Sequence, residues 1–367
     1  MLGASMTLNF YLIRHFLIGI GIVLALLALV MFTAETVEHL RRASNKPDVG
    51  FGLVLQMSLY KLPSIMGKLW PFVALFGAML ALTRLSRSSE LVVARSAGVS
   101  VWQILGPLVV TAALLGTFLI MVLNPLAAAL TSRYEQKFNA IFKGQSSQIT
   151  VSANTGLWLR ELSEDGQQVI YARGVAASGT VLDTATFFTF GNGDQFARRI
   201  DAREAVLGDR QWRLTEGTVT APDQPPESFD VMAVPTTLTL SQIVDSLATP
   251  ETFSFWQLPG FIEVLENAGF NGLAHRLYFH SLLALPLLLA AMVLLAATFC
   301  LRISVRQGGT GWVFFLGAMS GFAVFFITDL VEAFGSAGKL PVMLAAWTPA
   351  AVTSMCAMAA MFHLEDG

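Results

Sequence analysis

Asp329 and Glu332 form an acidic pair three residues apart at the end of a long apolar stretch. Two carboxylates that meet inside a bilayer could serve as the acid and the base of an intramembrane aspartyl protease. Carboxylates at a helix end that touches water have the same spacing and need no catalytic role. We favour this second interpretation and keep an intramembrane hydrolase as the weakest of three hypotheses.

The motifs of nucleotide, metal and serine-nucleophile chemistry are absent from the sequence. No G-x-x-x-x-G-K-[ST] loop occurs, and GGTG at 308–311 lacks the lysine and the hydroxyl residue that would follow. HExxH and G-x-S-x-G are also missing, and the five histidines have no metal-ligand spacing. We predict no catalytic residue, no metal site and no cofactor. The net charge of −2 excludes broad electrostatic binding of nucleic acid.

The stretch RLSRSSELVVARSAGVS at 84–100 predicts a short amphipathic helix between two apolar stretches. Gly98 is expected to end this helix, and Ser100 is expected to cap the next one. The helix could rest on a membrane leaflet, or it could be a coupling helix that fits a groove on a separate ATPase subunit. The residue types favour neither alternative. In the second, the ATPase contacts would come from Arg87, Glu90, Arg95 and Gly98.

These residues are positioned by a chain that is mostly membrane helix. Of 367 residues, 54% are hydrophobic and only 13% are charged, whereas soluble domains average about 25% charged. A helix needs about 20 apolar residues to cross the hydrocarbon core. The apolar stretches predict six transmembrane helices, near 16–32, 62–82, 99–126, 277–301, 308–328 and 340–364.

The segment between the third and fourth spans has a different pattern. Short alternating runs are separated by turn signals such as GNGD at 191–194 and GDRQ at 208–211. This pattern is typical of an antiparallel sandwich or jelly roll. The sequence therefore predicts an α-helical polytopic membrane protein with an inserted all-β domain. The predicted domains are 1–132, with the first three spans, 133–270, the β-domain, and 271–367, with the last three spans.

An even number of spans places both termini on one side of the membrane. We expect that side to be the cytoplasm of a bacterium, because the loops at 84–100 and 302–310 are compact and basic. A β-domain without a cysteine pair fits the periplasm. The basic stretch RRASNK at 41–46 then lies on the outer side, against the positive-inside rule.

This exception makes Arg41 and Arg42 candidate ligands for anionic phosphates of a lipid headgroup at the outer interface. The alternative is an ordinary snorkelling anchor at a helix end. Acyl chains would also need an apolar wall, for which we name aromatic residues of the first and fifth spans. Packing in the core or against lipid is the alternative for each single phenylalanine. The predicted wall consists of Phe32, Phe314, Phe322 and Phe325.

The loop SELVVARSAGVS at 89–100 resembles the cytoplasmic loop of the LptF/LptG permeases, the membrane part of bacterial lipopolysaccharide exporters. The arrangement of spans around a β-domain, the basic pair after span one and GLWLRE at 156–161 are similar too. DLVEAFGSAGKLPVMLAAWTPA at 329–350 resembles the family's join between its last two spans. The SELVV form of the loop and the AAW-x-PA ending favour the LptG branch. The sequence departs from the family where Glu35 and Glu38 replace an additional cation.

The resemblance implies a permease subunit of an ABC transporter, without catalysis of its own. It implies partners of five kinds: an LptB-type ATPase dimer, an LptF-type paralogous permease, an LptC-type single-span protein, an LptA-type periplasmic bridge, and lipopolysaccharide as cargo. Lipopolysaccharide would be extracted from the outer leaflet of the inner membrane and passed towards the outer membrane. The alternative function is a non-transporting membrane scaffold that docks periplasmic partners through its β-domain.

Overall fold

A computed structural model describes most of the chain, with gaps at several loops and turns. The described residues are 2–44, 46, 49–88, 90–143, 147–152, 156–163, 166–175, 181–191, 195–208, 210–222, 224–236, 249–267, 271–302 and 310–365. The predicted turn at 192–194 and most of the predicted basic loop at 302–310 lie outside these ranges.

Long helices dominate the described residues at both ends of the sequence. In chain order the helices are α1 (Leu2–Ala43), α2 (Phe51–Arg87), α3 (Glu90–Ser96), α4 (Val101–Phe118), α5 (Asn124–Phe138), α6 (Leu258–Asn267), α7 (Leu273–Arg302), α8 (Thr310–Ser336) and α9 (Val342–Glu365). A π-helical turn, Leu119–Leu123, joins α4 to α5 without a break. Six of the described helical segments are long and apolar enough to cross a membrane, as predicted. Five of them are longer than the predicted spans, because polar helical turns extend beyond the apolar core, whereas the sixth, Val342–His363, is slightly shorter than the predicted 340–364.

The chain divides into two units. A helical unit contains Met1–Tyr134 and Leu277–Gly367, and a β unit contains Glu135–Arg276. In the helical unit, α2 and α7 are the most deeply buried of the long helices, and the α2 residues Leu75, Met79 and Leu82 are inaccessible to solvent. Helices α1, α4 and α7 contribute further residues to the same core.

Glycines allow the close approach of helices to α2. A Cβ at Gly77 would lie 2.9 Å from the backbone nitrogen of Ile20 on α1. A Cβ at Gly321 on α8 would lie 3.2 Å from the Phe72 ring. Helices within a bilayer gain stability from such close packing, since lipid gives no hydrophobic drive for them to associate. The glycines therefore hold α1 and α8 against α2.

The β unit contains one antiparallel sheet of seven described strands. They are β1 (Ser147–Ser152), β2 (Gly156–Ser163), β3 (Gly166–Val175), β4 (Val181–Phe190), β5 (Phe196–Leu207), β6 (Gln211–Thr220) and β7 (Glu227–Pro235). Each strand pairs with its neighbours in sequence, in the order β1 to β7. The inserted antiparallel β-domain is thus confirmed. The order of these strands is a meander rather than the Greek-key order of a jelly roll, because each strand pairs with the described strand next to it in sequence.

One face of the sheet forms a core. Ile170, Phe187 and Trp212 are completely buried there, and the Phe187 and Trp212 rings meet edge to face at 6.0 Å. Leu265 of α6 is 1% exposed within the same cluster, and Phe261 packs against it. Helix α6 therefore covers part of this face.

A crease runs across β4 to β7. One extra residue in each strand there interrupts the alternation of inward-facing and outward-facing side chains. The pairing passes from Asp183–Glu204 to Ala185–Ala202, and from Glu204–Thr215 to Ala202–Gly217. We define the crease by the outward-facing residues at this slip: Thr184, Arg203, Glu216 and Asp230. Inward positions are consequently three residues apart here, as with Leu182 and Ala185 on β4.

The crease has an unusual backbone. Thr184 and Glu216 have φ values of 49° and 48°, a region that residues other than glycine rarely occupy. Nη1 of Arg203 donates to Oε2 of Glu216 at 2.9 Å across the two strands. This hydrogen bond with the carboxylate raises the pKa of Arg203. The ion pair supports the backbone at the point where it bends.

Replacement of Gly217 by Ala should destabilise the β unit. A Cβ there would collide with the carbonyl oxygen of Asp201 and with the Phe229 ring. We expect the free energy of unfolding to fall by about 1–3 kcal/mol, as for other overpacked sites. Protease susceptibility of the segment 135–276 in the full chain, measured against temperature, would report this loss. Gly191→Ala is the matched control, because a Cβ there meets nothing within 4 Å. Equal shifts in the two variants would contradict the prediction.

Candidate functional site

The short helix α3 has defined ends that match the sequence prediction. Gly98 has a φ of 85°, its N–H donates to Arg95, and the N–H of Val99 donates to Ala94. These bonds form a Schellman motif, which ends the helix in a fixed geometry. Ser100 then caps α4 through a reciprocal capping box with Gln103. The chain therefore turns between α3 and α4 at a rigid joint.

The predicted coupling residues lie on the surface of the helical unit. Arg87, Glu90, Arg95 and Gly98 are all exposed. The apolar side chain of Val93 on α3 is 65% exposed. The side chains of Leu91 and Val92 lie outside the described set. The helical unit thus exposes, at α3, both charged side chains and an apolar side chain that another protein could contact.

One contact of α3 was not anticipated from the sequence. Tyr11 on α1 lies close enough to Glu90 for their polar groups to interact. Since 79 residues separate the two positions, no local spacing rule signals the pair. Glu90 is therefore linked to the first transmembrane helix as well as to its own short helix.

The second predicted site lies at the other end of α1, where Arg41 and Arg42 share one carboxylate. Nε and Nη2 of Arg41 donate to the two oxygens of Glu38 at 2.9 and 3.0 Å. Nε of Arg42 donates to Oε1 of the same residue at 2.7 Å. The spacings of three and four residues place these side chains on one face of the helix. The predicted headgroup ligands therefore have an acidic partner within their own helix.

Beside this group is a more buried set of polar contacts that joins three helices. Nζ of Lys61 on α2 donates to Oε2 of Glu35 on α1 at 2.8 Å. His39 on α1 is 2% exposed, and its Nε2 lies 3.1 Å from the hydroxyl of Tyr134 on α5. The Ser58 hydroxyl on α2 lies 3.2 Å from Nδ1 of His39. We name these five residues the outer polar node: Glu35, His39, Ser58, Lys61 and Tyr134.

The hydrogen bonds of the outer polar node indicate which ring nitrogen of a neutral His39 carries the proton. Nδ1 of His39 lies 2.7 Å from the carbonyl oxygen of Glu35, which can only accept. The neutral ring must therefore carry its proton on Nδ1 and accept at Nε2 from Tyr134. Buried polar groups of this kind are costly unless paired, so the node binds α1 to α2 and α5 in one arrangement.

The predicted apolar wall is only partly assembled. Phe322 and Phe325 on α8 lie together on the Phe72 ring of α2, at centroid distances of 5.4 and 5.6 Å. Phe314 packs against the main helical core instead. Phe32 is half-buried on α1, the other helix that packs on α2. Phe322 and Phe325 are exposed on their outer sides, and they form the part of the wall that an acyl chain could reach.

The acidic pair of the hydrolase hypothesis is divided between two environments. Oε1 of Glu332 accepts a hydrogen bond of 2.8 Å from the Ser281 hydroxyl, which ties α8 to α7. Asp329 is exposed. No cluster of three or more His, Cys, Asp or Glu side chains fit for a metal ion occurs in the part of the chain that the structure covers.

Comparisons with known proteins place this chain in a family. Residues 10–362 match the family model described as lipopolysaccharide export system permease LptF/LptG. The chain is also similar to the lipopolysaccharide export system permease protein LptG of Haemophilus influenzae. The two are 24% identical over 293 residues, which cover 78% of this chain and 79% of that protein.

Replacement of His39 by Ala should destabilise the helical unit. It removes the contacts from α1 to Ser58 and Tyr134 and leaves a void at a buried polar site. We expect a loss of about 1–3 kcal/mol in the free energy of unfolding, measured as thermal unfolding of the purified chain in detergent. His15→Ala is the control, because His15 makes the same bond to the carbonyl of the residue four positions earlier. A smaller loss of thermal stability for His39→Ala than for His15→Ala would refute a stabilising role of the outer polar node.

Proposed function

The chain belongs to the lipopolysaccharide export system permease LptF/LptG family, and we propose that it is the LptG-type permease subunit of an ABC exporter. It extracts lipopolysaccharide from the outer leaflet of the inner membrane and passes it to a periplasmic bridge. A separate subunit hydrolyses ATP. The observation that carries the proposal is the exposed, rigidly ended helix α3 on a polytopic chain without a nucleotide-binding loop.

Helix α3 is proposed to be the contact with an LptB-type ATPase dimer. Its exposed Glu90 can accept hydrogen bonds from cationic or amide groups of a groove, and Arg87 and Arg95 can donate to acceptors. Gly98 presents no side chain, so it permits close approach. Because α3 is held between the end of α2 and the capped start of α4, a displacement of the ATPase would move both helices.

The cargo is proposed to bind at the opposite end of α1. Arg41 and Arg42 are 76% and 47% exposed at their side chains, so they are accessible to a phosphate. Arginine forms paired hydrogen bonds with phosphate oxygens in a fixed geometry. The acyl chains would run along Phe322 and Phe325, with Phe32 and Phe314 at the margins of the wall.

The orientation and the assembly follow from this proposal. Both termini and α3 lie in the cytoplasm, and the β unit lies in the periplasm. An LptF-type permease completes the transmembrane cavity, an LptC-type single-span protein associates at its side, and an LptA-type bridge receives the cargo. These partners are expected from the family rather than from any contact within this chain.

Substitution of Glu90 by Lys should uncouple the chain from the ATPase. Loss of a paired interfacial charge costs several kcal/mol, so association should weaken by about 30-fold or more. The measurements are co-purification of the ATPase and its stimulated rate in reconstituted vesicles. Asp329→Asn is the control, since Asp329 is an exposed acid on α8. Unchanged coupling in the Glu90 variant would favour the scaffold function, and loss of all activity in the Asp329 variant would favour the hydrolase.

Substitution of both Arg41 and Arg42 by Glu should lower lipopolysaccharide-stimulated ATP hydrolysis by about tenfold, because two charge-assisted contacts are replaced by repulsion. The complex itself should assemble normally. Lys339→Glu is a control for adding an acid at an exposed site near the turn between α8 and α9. If the double variant fails to assemble, the arginines have a structural role and the headgroup assignment is wrong.

A further inference from the structure

Glu38 is positioned as a counter-ion that a ligand must replace. Its two carboxylate oxygens receive three N–H groups from Arg41 and Arg42 at 2.7–3.0 Å. They lie on the Nε edges of the two guanidinium groups, and in Arg41 they are the paired Nε and Nη2 donors that suit a phosphate. An anion that binds at these edges must first displace Glu38.

The hydrogen bonds of Glu38 can be replaced by those of another anion more easily than the hydrogen bond of the nearby Glu35. All three N–H groups that Glu38 accepts come from its own helix, and its side chain is 33% exposed. The side chain of Glu35 is 18% exposed, and its partner Lys61 comes from another helix beside the buried His39. A rotamer change within α1 is enough to free the arginines from Glu38, whereas separation of Lys61 from Glu35 breaks a contact between α1 and α2.

The charge of the incoming anion decides whether this exchange is favourable. A phosphodiester lipid carries one negative charge, so it replaces one carboxylate by an equivalent charge. A phosphomonoester carries about −1.5 to −2 at neutral pH and has three strong acceptor oxygens. Only the phosphomonoester increases the negative charge facing the two guanidinium groups.

We propose that Glu38 makes the Arg41–Arg42 pair selective for phosphomonoester lipids over the singly charged phosphodiester lipids of the surrounding membrane. This inference rests on the proposed headgroup role of the two arginines. Glu38 itself does not bind the cargo. It excludes weaker anions by occupying the same donors, and it speeds release of the phosphomonoester by returning to them.

The test compares the full-length wild type with Glu38→Gln in nanodiscs of phosphatidylcholine. The discs contain either diphosphoryl lipid A or phosphatidylglycerol, and lipid occupancy is measured by native mass spectrometry. The wild type should prefer lipid A. Glu38→Gln should bind phosphatidylglycerol about three- to tenfold more tightly, as expected for the loss of two exposed ion pairs, and its preference for lipid A should narrow. Glu216→Gln is the matched control, because Glu216 is also an exposed partner of an arginine.

The remaining variants separate failure of this inference from failure of the headgroup site. If Arg41→Gln with Arg42→Gln changes neither lipid's occupancy, the arginines do not bind headgroups and both proposals fall. If that variant loses both lipids while Glu38→Gln keeps the wild-type preference, only the role of Glu38 is overturned. Loss of both lipids in Glu38→Gln would mean that Glu38 merely orients the arginines. Inorganic phosphate should not displace lipid A, and full displacement would indicate a site for free phosphate instead.

Discussion

The helical unit depends on the burial of α2. This helix of 37 residues is about 55 Å long, well beyond the roughly 30 Å of a hydrocarbon core. Glycines let α1 and α8 pack directly against it, so its middle is held by close contact rather than by polar bonds. At one end it is followed along the chain by α3. At the other end it carries Ser58 and Lys61 of the outer polar node. The same helix therefore has residues beside both of the predicted sites.

Two kinds of polar cluster lie near the C-terminal end of α1, and they differ in whether their hydrogen bonds can be exchanged without moving a helix. The outer polar node is buried at His39 and Ser58, half-buried at its other members, and drawn from α1, α2 and α5, so it links these helices to one another. The Glu38–Arg41–Arg42 group is exposed and belongs to one helix, so its bonds can be exchanged without moving backbone. Exposed ion pairs contribute little stability. The exposed group is thus suited to an exchangeable ligand, and the node supplies the fixed frame beside it.

The sequence predicted features that depend on local patterns. The six membrane helices follow from apolar length, and the end of α3 at Gly98 and the cap at Ser100 follow from residue type. Arg41 and Arg42 stood out because, in the predicted orientation, they break the charge rule for membrane loops. The spacing of three and four residues is compatible with the pairing to Glu38, although the resemblance to the family marks the acidic residues there only as a departure. The contacts of Tyr11 with Glu90 and of His39 with Tyr134 are long-range, and no local pattern signals them.

The β unit shows why alternation alone was insufficient. Period-two patterning identified strands, but the crease at Thr184, Arg203 and Glu216 shifts the inward face by one residue along β4 to β6. Such a shift depends on pairing across the sheet, which a single strand does not reveal. Alternation also does not decide whether inward-facing residues such as Ile170 and Trp212 form a core or line a conduit. Both are fully buried, and Leu265 of α6 belongs to the same cluster. This part of the face is filled by the protein itself, so an acyl chain could pass along it only if α6 or the sheet moved aside.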